Sequence, residues 1–441
     1  MFKFLSPYLD RQTKNKIHLL FAKWAVFLHS NPSSRIKVIG VTGTQGKTTV
    51  CNMISSILDQ AGLTNALETT INTRIAGENI ERPADYRRTT PTAAYLQEFL
   101  DKAVKAGCSY AIIEVSSQAI DQNRIHGIKF HSLVFTNLTH EHLDYHGTKE
   151  NYLNTKLKLF KNNPEANFII NADDPSWNRF YSLSGLQKYL FSIKKSVEHG
   201  AIARKILSSP SDTTFTAVSD NGQITIDLNI PGLFNVQNAL AAFCVGMALE
   251  ISLENIKRGI EDIRLIAGRM EPIRVSKHQN FTVLIDYAHT PDSLKNVYET
   301  VKESIKNSMG RLIAVLGATG NRDISKRPIM GAMAGHFADL VVFTNEDPYD
   351  EDPVAIMEAV AEGIHKGAEK KHQWRLNRNY WKVIDRAQAI HKAIREAKKG
   401  DVVIITGKGD ESVMAVSSDK FVPFSDRNIA KQELSEIFGR K

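Results

Sequence analysis

The sequence predicts an α/β protein made of two parallel-sheet blocks. Three observations lead there. At 441 residues the chain exceeds what one hydrophobic core serves, since single cores stop growing at roughly 250–300 residues. From Arg35 onward short apolar runs alternate with helical stretches, the pattern of a parallel sheet covered by helices. In the second half each apolar run ends in glycine or polar residues, where open α/β sheets bind their ligands.

In chain order, residues 1–34 read as an N-terminal helical segment. Ile17, Leu20, Phe21, Trp24 and Leu28 share a face at helical spacing, and Lys3, Arg11, Lys14, Lys16 and Lys23 oppose the acid Asp10. Docking on the following domain is expected, with weak contact to an anionic membrane surface as the alternative. Residues 35–264 make the first block. "IKVIGV" is a buried strand and "KTTVCNMISSILDQAG" a helix ending at Gly62; "SYAIIEV", "HSLVFTNL" and "NFIINADD" are further buried strands. "TTFTAVSDNGQITIDLNI" alternates apolar and polar residues about Asn-Gly, which signals a β-hairpin, and the helix "NVQNALAAFCVGMALE" follows. Residues 265–441 make the second block, with strands "FTVLID", "RLIAVLG", "LVVFTN" and "DVVIITG".

Composition narrows the class. Hydrophobic residues are 42% and charged ones 24%, ordinary for a globular protein. The net charge is +8, but the basic residues are spread and not interleaved with aromatics, so no nucleic-acid partner is expected. The three cysteines, Cys51, Cys108 and Cys244, show no CxxC spacing, which fits a reducing cytoplasm. No apolar run reaches membrane-spanning length.

"IGVTGTQGKTTV" places a glycine turn between strand and helix. Glycines let backbone N–H groups converge on phosphate oxygens, Lys47 supplies a cation, and Thr48 offers a hydroxyl to Mg²⁺. The match is G-x-x-G-x-x-G-K-T through Gly40, Gly43 and Gly46, with Val41 where the strict pattern has glycine. Downstream, His140, Glu141, His142, Asp144 and His146 crowd one turn after a buried strand. His142 and His146 at i, i+4 suit a zinc pair; a magnesium role and a solvated polar turn stand beside that reading.

These stretches, with "TTP", "EVSSQAIDQNRI", "TNLTHEHLDYHG", "TKLKLF", "GLFNVQNALAA", "AGRMEP", "DYAHTPDSL", "GATGNRDISKRPIMG", "NEDPYDEDP", "GKGDES" and "FSDR", occur in the order of a Mur ligase. The chain most resembles the muramyl-tripeptide synthetase branch, which adds a diamino acid (lysine or meso-diaminopimelate) to the peptidoglycan stem. The resemblance implies a central P-loop ATPase domain with a parallel sheet and a C-terminal Rossmann-like α/β domain. It implies ATP and Mg²⁺ as cofactors, and muramyl peptide and amino acid as partners. It further implies that Gly43, Thr44, Gln45, Gly46, Lys47, Thr48 and Thr49 hold the ATP phosphates. Asn235, Asn238, Arg269 and Asp286 are the implied nucleotide contacts across the cleft. Thr48, Glu114, His142 and a carboxylated Lys156 are the implied metal ligands. Thr89, Thr90, Ser116, Gln122 and Arg124 fall to the acceptor; Arg322, Gly407 and Glu411 fall to the amino acid, Arg322 pairing a carboxylate and Glu411 the distal ammonium, with the adjacent acids Glu346 and Asp347 beside them where the chain departs from the family.

The chain departs from the family's pattern in places. The phosphate loop starts at Gly40, so the family's N-terminal uridine-binding domain is expected to be missing. The uridine end would then be held differently, supplied with a site by a separate protein, or absent. The family's Asp-Asn-Pro-Arg reads Glu346-Asp347-Pro348-Tyr349, which removes an arginine clamp for a distal carboxylate and points to a bare ammonium such as lysine's. Gln45, Gln118 and Asp410 replace Asn, His and His. Two further readings stand beside this one: a related ligase with a non-UDP acceptor, of cyanophycin-synthetase type, and a non-catalytic nucleotide-binding scaffold.

Overall fold

The computed structural model describes residues 10–81, 89–139, 141–209, 212–306, 308–367 and 373–439. His140 and the first nine residues of the N-terminal segment lie outside them. In the first lobe the strands are β1 (Lys37–Thr42), β2 (Asn65–Glu68), β3 (Thr73–Ile75), β4 (Glu78–Asn79), β5 (Tyr110–Glu114), β6 (Phe130–Phe135), β7 (Asn167–Asn171), β8 (Lys188–Ser192), β9 (Gly200–Ser208), β10 (Thr213–Ser219) and β11 (Gly222–Leu228). They form one sheet in the order β11-β10-β9-β8-β7-β6-β1-β5-β2-β3-β4. Pairing is parallel from β9 through β2 and antiparallel at both edges.

Both faces of the parallel centre of this sheet are covered, which is why β1, β5, β6 and β7 read as continuous apolar runs. Ile39 and Val41 face a core with the helices Lys47–Gln60 and Leu233–Ala248; Val38 faces a second core with Leu96, Phe99 and Phe160. The hairpin expected about Asn-Gly is β10–β11, closed by the pair Ser219↔Gly222. The short strands β2–β4 and the strands β8 and β9 are not anticipated by the sequence reading.

The second lobe has β12 (Glu271–Ile273), β13 (Thr282–Ile285), β14 (Leu312–Leu316), β15 (Leu340–Phe343), β16 (Tyr380–Lys382) and β17 (Val402–Ile405) in the order β12-β13-β17-β14-β15-β16. All its pairs are parallel except β12–β13. Leu312, Ala314 and Leu316 face one core, Ile313 and Val315 the other, at strand period two. A small antiparallel pair, β18 (Val413–Ala415) and β19 (Phe421–Pro423), follows.

Arg386 ties the strand ends of this lobe together. Its guanidinium donates to both Asp426 carboxylate oxygens (2.8 and 2.6 Å), to the Thr406 carbonyl (2.8 Å) and to the Asn345 carbonyl (3.2 Å). Both members of the ion pair are wholly buried.

The N-terminal segment is helical over Arg11–Leu28 among the described residues. It docks through Ala22 and Ala25, both buried, and Arg11 pairs with Asp121 at 3.0 Å. The face expected to pack points outward instead: small residues allow the close approach, and the bulky ones are left outside. The three cysteines are free and buried, and no described helix is long and apolar enough to cross a membrane.

Candidate nucleotide and ligation site

The phosphate loop joins β1 to the helix Lys47–Gln60. Gly46 caps that helix with a left-handed backbone, φ 83°. At Gly43, φ 154°, a Cβ would lie 1.8 Å from Thr136 Oγ1, so the neighbouring strand end leaves no room for one. A Cβ on Gly46 would lie 2.3 Å from Asn238 Oδ1. Asn137 holds the loop from below, its Oδ1 accepting from Gln45 N and its carbonyl from Thr44 N, both at 2.9 Å. Lys47 Nζ donates to the Gly43 and Thr44 carbonyls (3.1 and 2.8 Å), poised at the concave side of the loop. Thr48 and Thr49 follow on the first helical turn, both buried.

Of the residues implied as metal ligands, Thr48, Glu114 and His142 line one cavity beside this loop, and Lys156 lines the adjoining cavity with His142. Glu114 ends β5 and is buried. Its Oε2 accepts from Thr70 Oγ1 at 2.8 Å, while Oε1 is buried without a hydrogen-bond partner. Leaving a carboxylate oxygen so costs a few kcal/mol in an empty site, so the atom is suited to a cation. His142 has a left-handed backbone, φ 57°, which aims its ring at Gln118, 3.2 Å from Nδ1. His146 turns elsewhere: its Nε2 meets Ser117 Oγ at 2.9 Å. The two histidines therefore do not converge, and the zinc-pair reading falls. Among the described residues no three His, Cys, Asp or Glu side chains form a metal cluster.

Lys156 is fully buried, donating to the Gly43 carbonyl at 3.0 Å with the Tyr152 ring 4.7 Å away. Burial first, and then the Lys47 charge, hold its ammonium well below the ordinary lysine range. A neutral buried amine is a nucleophile that can accept carbon dioxide as a carbamate.

The second lobe closes this space. A cavity of about 220 Å³ is lined by Lys47, Thr48, Glu114 and His142 from the first lobe and by Arg269, Asp286 and His289 from the second. Hydrogen bonds across the cleft include Gln45 Nε2 to Thr290 Oγ1 at 3.2 Å and His289 with Glu141 at 3.0 Å. Asn235 and Asn238 line the cavity too; Asn238 Nδ2 donates to Asn235 Oδ1, and neither caps the helix, which starts from Gly232. Asp286 accepts from the Met270 and Ala288 amides, and burial pushes its carboxyl above the usual range. Arg269 stacks 4.4 Å from the Tyr287 ring.

A larger cavity, about 1520 Å³, adjoins. Thr89, Ser116, Gln122 and Arg124 line its first-lobe side. Thr90 sits just behind, its hydroxyl donating to the Glu114 carbonyl at 2.8 Å. Arg124 donates to the Thr90 carbonyl at 2.7 Å and to Gln122 Oε1, which fixes both side chains. Arg322, Glu346, Asp347, Gly407 and Glu411 line the opposite side. Asp323 accepts from Ser325 N and Oγ, and the Arg322 guanidinium lies 6.0 Å from the Tyr349 ring.

The acids of this second-lobe side are not equivalent. Lys408, fully buried, donates to Asp347 (2.9 and 3.0 Å) and to Glu411 (2.7 Å). Asp347 and Glu411 are therefore matched within the chain. Glu346 is different: Oε1 accepts from Thr319 at 2.7 Å, and Oε2 is buried with no partner. Sequence reasoning missed Lys408 as the hub and His289, Tyr152 and Thr70 as supports. Lys408 and His289 stand inside quoted motifs; Tyr152 and Thr70 carry no signal of their own.

Comparison with known proteins follows the same lines. The Mur ligase middle domain model matches residues 41–246, and the Mur ligase glutamate ligase domain model matches residues 268–409. A relative from Clostridium tetani, named UDP-N-acetylmuramoyl-L-alanyl-D-glutamate–2,6-diaminopimelate ligase, is 37% identical over 410 residues, 93% of this chain and 80% of its own length. Its namesake from Synechocystis sp. is 38% identical over 412 residues, 93% and 78%. A solved structure of a ligase of that name superposes with TM-score 0.61 at 28% identity, covering 91% of this chain and 79% of its own. Folylpolyglutamate synthase of Mycobacterium tuberculosis, complexed with ADP and AMPPCP, shares the fold at TM-score 0.68 and 17% identity, over 98% of this chain and 100% of its own. The chain belongs to the Mur ligase family.

Proposed function

We propose that the protein is an ATP-dependent, ADP-forming ligase that joins a diamino acid to a muramyl-dipeptide acceptor in peptidoglycan synthesis. One observation carries the reading: Lys47, Thr48, Glu114 and His142 face a cavity that Arg269, Asp286 and His289 close from the other lobe. The proposed domains are 1–34, 35–264 and 265–441, and the proposed location is the cytoplasm. The acceptor carboxylate attacks the γ-phosphorus and ADP leaves. The amine of the amino acid then attacks the acyl carbon, phosphate leaves, and the amine's proton passes to solvent. Lys47 and the amides of Gly43–Thr49 bind and orient the triphosphate; positioning and charge neutralisation supply most of the rate. Asn235, Asn238, Arg269 and Asp286 orient the nucleotide from across the cleft. Thr48, Glu114, His142 and carboxylated Lys156 would hold Mg²⁺, which when bound neutralises charge on the phosphates. Thr89, Thr90, Ser116, Gln122 and Arg124 would seat the acceptor.

Lysine is the amino acid the pocket favours. Arg322 would pair the α-carboxylate, and Glu346 Oε2, buried without a partner, would accept a distal ammonium in place of Glu411. Gly407 lets the Glu346 carboxylate pack on its backbone, since a Cβ there would lie 2.1 Å from Oε2. Asp347 and Glu411, held by Lys408, shape the same wall. Tyr349 offers no charge to a distal carboxylate. The test is an incubation with ATP, Mg²⁺, UDP-muramyl-dipeptide and a panel of amino acids, with products weighed by mass spectrometry. A gain of one lysine residue together with ADP is expected. Strong preference for meso-diaminopimelate would overturn the amino-acid assignment, and ATP hydrolysis without any mass gain would overturn the ligase. Turnover by the purified chain alone would remove the need for a separate uridine-binding protein.

A further inference from the structure

The helix Arg11–Leu28 carries the most concentrated exposed apolar surface among the described residues. Leu20, Phe21, Trp24, Phe27 and Leu28 are 67%, 57%, 62%, 81% and 53% exposed. Their spacing i, i+1, i+4, i+7, i+8 places them on one stripe of the helix. Elsewhere large exposed apolar side chains occur singly or in pairs along the chain. A soluble monomer does not gather such a stripe without use for it.

The opposite side of the helix is firmly attached. Ala22 and Ala25 are buried, Arg11 and Asn15 bond to Asp121, and Gly127 admits the Val26 side chain where a Cβ would lie 2.4 Å from Val26 Cγ2. The outward orientation of the apolar stripe follows from this docking. At 100° per residue, Lys16 and Lys23 fall along one margin of the stripe and Lys14 along the other. Lysines on both margins of an apolar band, with a tryptophan within it, are the pattern of a helix lying in a bilayer interface. The apolar side enters the acyl boundary while the amines reach the headgroups.

We propose that this helix is an interfacial anchor that seats the protein on an anionic lipid bilayer. The same helix lines the large cavity with Lys14, His18 and Phe21, beside Gln122 and Arg124. Seated this way, the protein presents the mouth of that cavity at headgroup level. The anchor does not depend on the reaction assigned above, and its test uses neither ATP nor acceptor.

The experiment is co-sedimentation of the full chain with vesicles of phosphatidylcholine containing phosphatidylglycerol, and with vesicles of phosphatidylcholine alone. The comparison is with the triple variant Leu20→Ser, Trp24→Ser, Phe27→Ser. The parent chain should bind the anionic vesicles, less tightly as salt rises. The triple variant should lose about tenfold or more in partitioning. Its melting temperature should match the parent's, because the replaced side chains are exposed. Failure of the parent to bind anionic vesicles, or equal binding by parent and variant, would overturn the proposal. Self-association of the parent that disappears in the variant, without vesicle binding, would overturn it as well and assign the stripe to a second copy.

Discussion

The two sides of the catalytic cleft are held in different ways. On the nucleotide side the geometry is made by backbone: left-handed glycines, loop amides braced by Asn137, and a helix start at Lys47. On the amino-acid side it is made by side-chain charge, with buried Lys408 bridging Asp347 and Glu411, and Arg386 tying the chain at Asn345 and Thr406. A backbone site accepts one ligand chemistry and resists drift.

The largest expected effect separates the two sides by stability. Arg386→Ala strands Asp426 in a fully buried place and should cost about 3–5 kcal/mol, measured by urea unfolding. It loosens the strand ends that present Glu346 and Gly407, so the KM for the amino acid should rise while ATP affinity in the remaining folded protein changes little. An equal loss at both sites would break the distinction. Next, Lys156→Ala should lower turnover about 10²–10³-fold with the amino-acid KM unaffected, measured as ADP release. Excess bicarbonate should leave that variant unrescued. Smaller again, Tyr349→Arg restores a charged fork beside Arg322. It should shift the ratio of kcat/KM toward meso-diaminopimelate by about 1.5–3 kcal/mol, read from paired product assays. No shift would mean that the Lys408 network, and not position 349, sets the choice.

The smallest effect concerns pH. Burial holds the His146 imidazole down to about 4, against about 6.5 in an unfolded chain. The unfolded form therefore takes up the proton first. Stability that is full above pH about 6.5 is lost progressively as pH falls toward about 4. His146→Gln, which retains a donor toward Ser117, should flatten that part of a melting-temperature profile.

The same contrast explains what the sequence disclosed. The phosphate loop is legible because its constraints are local: glycine spacing, the following Lys-Thr, and the strand–helix flanks all lie within a dozen residues. The strands buried on both faces were legible as apolar runs, and β10–β11 from its Asn-Gly turn. The short β2–β4 edge strands carry too few residues for a period. Lys408 reads as an ordinary loop lysine until the fold brings Asp347 within 2.9 Å, 61 positions away. Gln45 and Thr290 are 245 positions apart. The outward apolar stripe of the first helix was misread as a packing face because periodicity gives a face but not its direction. Burial of Ala22 and Ala25 decided that.

The central claim is that an acceptor carboxylate is activated by transfer of the γ-phosphoryl group in the cleft between the lobes. The direct measurement uses acceptor labelled with heavy oxygen in the reacting carboxylate, followed by mass analysis of the released phosphate and nucleotide. The account predicts one labelled oxygen in inorganic phosphate, with unlabelled ADP as the nucleotide product. Label appearing in AMP, or phosphate released without label while amide forms, would contradict it.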